Sequence, residues 1–172
     1  SDTLQAANPF MRRPVIAGNW KMYKTASEAV KYVKEFRSLV QGITDVEIVV
    51  APTFVALHGA AEAARNSNVG VAAQDLYWER EGAFTGEVSG SMIREAGAEF
   101  VLTRPIFDLS AFERILPRLT ASRLPIIASV FPFESARNAE FMANEVPGVQ
   151  VPEALMDRMR QCGGAAAEAA EG

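Results

Sequence analysis

Two polar residues follow an apolar run near the start of the chain, in the order Val15-Ile16-Ala17-Gly18-Asn19-Trp20-Lys21. If the run is a strand of a parallel α/β structure, Asn19 and Lys21 stand at its C-terminal end, where such structures gather their active-site residues. Strand alternation puts Asn19 and Lys21 on one side and turns Trp20 to the other. A lysine there can neutralise a phosphate or a developing enolate, and an asparagine can donate a hydrogen bond. The same pair also suits a solvated lysine and an asparagine closing a strand end. A second polar cluster is Arg137, Asn138, Glu140, Asn144 and Glu145. It reads either as a ligand-facing helix start or as capping and ion pairing, with Arg137 and Glu140 spaced to pair on a helix. The single histidine, His58, falls on a helical stretch as a surface or helix-packing residue. The single cysteine, Cys162, rules out a disulfide within the chain.

Alternating elements must position these residues. Strand-like apolar runs are expected at Val15–Gly18, Val46–Ala51, Val69–Ala73, Phe100–Thr103 and Pro125–Val130. Helical periods are expected at Ser27–Leu39, Val55–Arg65, Ser89–Ala96, Leu109–Leu119, Ser135–Asn144 and Pro152–Cys162. Ser27 or Thr25 caps the first helix, Pro117 ends the fourth helix early, and Pro152 takes a first helical position. Strands rich in Val, Ile and Ala suit a parallel sheet buried on both faces. The fold class is therefore α/β, with parallel βα units of the TIM-barrel type, about five strands, and an incomplete or rearranged barrel.

The 172 residues carry a net charge of −4 and are 49% apolar. This is enough for one domain with a core. No basic stripe suggests nucleic acid, and no apolar run reaches the roughly 20 residues of a membrane span. Residues 1–13 read as a loose arm without a secretory signal, 14–162 as a single domain, and 163–172 as an Ala/Glu/Gly tail that frays as a helix. The cytoplasm is the expected compartment.

The segments PVIAGNWKM, APTF, AAQDL and GAFTGEVS, over residues 13–103, resemble triosephosphate isomerase. The resemblance implies that Asn19 and Lys21 descend from ligands of a small phosphorylated substrate, with Lys21 a vestigial catalytic residue. It also implies that loop 74–88 is an oligomer interface carrying Phe84, Thr85 and Glu87, the last without its usual arginine partner. Tyr77, Trp78 and Phe84 on this loop are costly to leave in water. The family's histidine motif belongs after the fourth strand, where this chain reads Thr103-Arg104-Pro105-Ile106-Phe107. Its glutamate base and later phosphate loops have no counterpart.

The segments TRPIFD, PIIASVFPF and RNAEFMANEVPGVQVPEALMDRMR, over residues 98–160, resemble methylenetetrahydrofolate reductase. This implies a flavin (FAD) and folate barrel as the alternative to a chain without cofactor. Arg104 stands where that family usually has a substrate-contacting glutamine. The domain thus divides into an isomerase-like part, 14–103, and a reductase-like part, 104–162. Five strands do not close an eight-stranded ring, so self-association or a partly open barrel is expected. The expected function is a hybrid fragment without a complete active site. The alternative is a glycolytic-type isomerase whose base is Asp108 or Glu134.

Overall fold

The computed structural model describes residues 13–171. The expected arm lies, apart from Arg13, outside the described residues. Five strands, β1 (Val15–Asn19), β2 (Glu47–Ala51), β3 (Val69–Ala73), β4 (Phe100–Pro105) and β5 (Ile126–Ser129), form one sheet in the order β1-β2-β3-β4-β5. Every neighbouring pair is parallel. The helices are α1 (Ala26–Leu39), α2 (Phe54–Ala64), α3 (Gly90–Glu95), α4 (Leu109–Thr120), α5 (Ala136–Glu145) and α6 (Glu153–Glu171). The result is a curled half-barrel, an incomplete TIM-barrel-like α/β fold.

Strand alternation sorts the core into two layers. Ile48, Val50, Val69, Val71, Ala73 and Val101 pack outward in one cluster with Val33 of α1, Leu57 of α2 and Ile93 of α3. Val49, Ala51, Ala72 and Leu102 form the inner cluster, with Phe100 and Ile127 against it. Val33, Leu57, Val71 and Ile93 are almost fully buried. Each such side chain stabilises the fold by roughly 1.5–3 kcal/mol. The small residues Ala56, Gly59, Ala60 and Ala63 let α2 pack close to α1, and a Cβ on Gly59 would stand 3.0 Å from Val30 Cγ2. The open edge differs: all five residues of β1 are exposed, with Ile16 at 62%.

Several element ends differ from the sequence expectation, each for a local reason. Thr25, not Ser27, caps α1. Its hydroxyl accepts the Glu28 N–H, while Glu28 Oε2 accepts the Thr25 N–H at 2.8 Å, a reciprocal capping box. The backbone N–H and then the hydroxyl of Thr25 hold the Glu28 carboxyl below its ordinary pKa. Helix α4 runs through Pro117 to Thr120 instead of stopping early. Proline removes only one backbone donor there, and the Thr120 hydroxyl donates to the carbonyls of Leu116 and Pro117. Pro152 stands just before α6 rather than inside it, and its carbonyl accepts the N–H groups of Leu155 and Met156.

Strand β4 continues past Thr103 to Pro105, with a register shift between Leu102 and Pro105. Side chains carry the ladder across that shift. Thr103 Oγ1 accepts the Ser129 N–H at 2.9 Å, and Ser129 Oγ donates to the Thr103 carbonyl at 2.8 Å. A proline fits a strand at such an irregularity.

The segments before and after Thr103 also meet through the helices. A Cβ on Gly90, at the start of α3, would lie 2.4 Å from Ser122 Cβ, just after α4. Arg94 Nη1 donates to the Ser122 carbonyl at 3.2 Å. Gly90→Ala should therefore destabilise the protein by about 1–3 kcal/mol in urea unfolding, with part of the loss recovered by adding Ser122→Gly. Unchanged stability in Gly90→Ala would refute this close approach.

Candidate functional site

Strand β1 ends at Asn19, and the chain turns at once. Lys21 has φ 54°, and its N–H donates to Asn19 Oδ1 at 2.8 Å. An Asx bond thus sets the relation of the two residues, because strand alternation does not extend to Lys21. The Trp20 N–H donates to the Ala51 carbonyl at 3.0 Å. The Trp20 ring meets Tyr32 of α1 edge-on, with centroids 5.2 Å apart, and packs on the outer core. Gln74, after β3, completes the arrangement. Its Nε2 donates to the Lys21 carbonyl at 2.9 Å and to the Ala51 carbonyl at 2.8 Å. One amide therefore ties together the ends of β1, β2 and β3. Sequence reasoning did not single out Gln74, although its place directly after a strand was a usable signal. Asn19 and Lys21 are exposed. They can meet a small anion from solvent, with Lys21 supplying charge and Asn19 a side-chain amide.

The loop after β3 is held at its base, where the Tyr77 N–H donates to the Val88 carbonyl at 2.9 Å. Tyr77 stacks on Trp78 and meets Phe84 at a tilt, both at 4.6 Å centroid to centroid. Trp78 and Phe84 remain about two-fifths exposed. Thr85, at the tip, and Glu87, next to the closing Val88, are exposed. Among the described residues no ion pair includes Glu87.

The remaining candidates lie apart from β1. His58 is exposed on α2. Asp108 caps α4, its Oδ1 accepting the Ala111 N–H at 2.8 Å. Glu134 is exposed beyond β5. Glu140 pairs not with Arg137 but with Arg160 of α6, at 3.5 Å. Arg160 also reaches Glu153 and Asp157, which raises its pKa, chiefly through the Glu153 hydrogen bond. A sequence-local pair loses here because α5 and α6 pack together and offer a cation facing three carboxylates. Asn138 has its N–H capped by Ser135, and Glu145 ends α5. Asn144 is the residue before that end.

Arg104 Nη1 reaches the Gly148 carbonyl at 3.4 Å, which fastens the α5–α6 turn to the end of β4. The hydroxyls of Thr103 and Ser129 are likewise spent on the β4–β5 ladder. Phe107 and Phe133 stack 4.9 Å apart beside them. Among the described residues no three His, Cys, Asp or Glu side chains gather as a metal site. No described helix is long and apolar enough to cross a membrane.

Comparison with known proteins divides the chain in two. The methylenetetrahydrofolate reductase family model matches residues 92–168. A triosephosphate isomerase from Trichlorobacter lovleyi is 53% identical over 92 residues, 54% of this chain and 37% of that protein. One from Geotalea uraniireducens is 51% identical over the same share of each. One from Moorella thermoacetica is 44% identical over 125 residues, 68% of this chain and 50% of that protein. The chain thus spans between about a third and a half of the length of these relatives. The triosephosphate isomerase family model matches residues 14–103, which hold β1, β2, β3, most of β4 and both Asn19 and Lys21. On that match, covering more than half of the sequence, the chain belongs to the triosephosphate isomerase family.

Proposed function

We propose that this protein is a hybrid TIM-barrel fragment that keeps the isomerase family's substrate-anion corner at Asn19 and Lys21 without a complete active site. The observation that supports the reading is the engagement of the side chains at the strand ends. A general base must come within hydrogen-bond reach of the proton that it removes. Asp108, after β4, is committed to its helix cap. His58 sits on α2, away from the strand ends.

The isomerase alternative needs a base beside Lys21; Asp108 is engaged in its helix cap, and Glu134 is exposed beyond β5. The exposed, unpaired Cys162 suits a cytoplasmic protein. An assay of glyceraldehyde phosphate isomerisation should show no turnover above the uncatalysed rate. Turnover that disappears in Lys21→Ala would overturn the reading.

Self-association belongs to the same proposal. The free edge of β1 exposes Val15 and Ile16, at 47% and 62%. An open edge with apolar side chains is a template for another chain. Phe84 and Thr85, toward the tip of the loop after β3, and Glu87, next to its base, form the second contact. Sedimentation velocity should show a mass that rises with concentration and a weaker rise in Ile16→Lys. A compact monomer at every concentration would count against it.

A further inference from the structure

The outer surface carries a cationic cavity that neither family match contains whole. Arg80, Arg94 and Arg118 line one open cavity of about 400 Å³, beside Tyr77 and Trp78, with Glu79 the one carboxylate in its wall. That volume lies within the ordinary range of small-ligand sites. Among the described residues no carboxylate pairs with any of the three arginines. The protein as a whole carries a net charge of −4, so this gathering of positive charge is local.

Two of the guanidinium groups have fixed neighbours. Arg94 Nη1 donates to the Ser122 carbonyl at 3.2 Å. Arg118 lies 5.8 Å from the centre of the Trp78 ring, which Tyr77 also stacks against. Because Trp78 is engaged by both neighbours, recognition in this cavity rests on charge rather than on a free stacking face.

The walls fall in different family matches. Arg80 falls only within the isomerase match, Arg118 and Ser122 only within the reductase match, and Arg94 in their overlap. The close approach of Gly90 to Ser122 forms the seam at the floor. Three guanidiniums around one cavity repel one another, and an anion that accepts from their planar forks removes that repulsion. We propose that this cavity is a binding site for a small organic phosphate, created by the joining of the two parts and separate from Asn19 and Lys21. Neither Asn19 nor Lys21 lines it.

The test is calorimetric titration of the full chain at low ionic strength with two probes, pyrophosphate and glycerol 3-phosphate. Saturable binding at one site is expected for both. The affinity should fall roughly tenfold or more in Arg118→Gln and in Arg94→Gln, as for loss of a charge-assisted hydrogen bond. It should be unchanged in Lys34→Ala, an exposed lysine that does not line the cavity. Arg118 is exposed and makes no backbone hydrogen bond among the described residues, so Arg118→Gln keeps the test decisive if Arg94→Gln loses its fold. No saturable binding, unchanged affinity in a folded Arg118→Gln, or an equal loss in Lys34→Ala would each overturn the proposal.

Discussion

Two residue pairs, Ala72 with Phe100 and Ala73 with Val101, carry the sheet from β3 to β4. They are reinforced by the Glu99 N–H, which donates to the Val71 carbonyl at 2.8 Å. The rest of the molecule depends on this short ladder. Ahead of it lie strands with the isomerase match, and behind it β5 and α4–α6 lie within the reductase match. The two matches overlap at residues 92–103, the segment that contains most of α3 and the start of β4. A βα barrel repeats one right-handed unit. A strand from one member can therefore occupy the position of a strand from another, provided that the helices outside it still pack. Gly90 against Ser122 shows that packing met by the absence of a side chain.

The same constraint separates the two kinds of chemistry. Active sites of such barrels draw on the ends of several strands around a closed ring. Here the corner at β1 is organised by Asn19, Gln74 and the Ala51 carbonyl, all from the isomerase-like strands. The polar groups at the ends of β4 and β5 instead serve their own ladder and the α5–α6 turn. Neither end lends a group to the other. The scaffold is shared across the seam while the reactive parts are not.

The alternation of short β-branched runs with amphipathic stretches was enough to place five strands and six helices, because burial on both sheet faces leaves little choice of residue. The ends were less legible. Thr25 won over Ser27 because Glu28 stands three residues after Thr25, a pairing that depends on spacing and not on cap type alone. Pro117 stayed inside α4, where it removes one backbone donor, and the Thr120 hydroxyl donates to carbonyls of the last turn. At the candidate site, Asn19 and Lys21 were visible from their place after a strand. Gln74 was not, since its role depends on where β2 and β3 bring the carbonyls of Ala51 and Lys21. The partner of Glu140 was equally hidden, because Arg160 reaches it only through the packing of α5 on α6.

The central claim is that the segments matched by two different family models form one cooperative fold through the β3–β4 ladder. Native-state amide hydrogen exchange at increasing low denaturant tests it most directly. The account predicts that the slowest amides of β2, β3 and β4 converge on one opening free energy, so that the strands on both sides of the seam unfold together. Persistent protection of β2 and β3 while β4 and β5 exchange freely would contradict it.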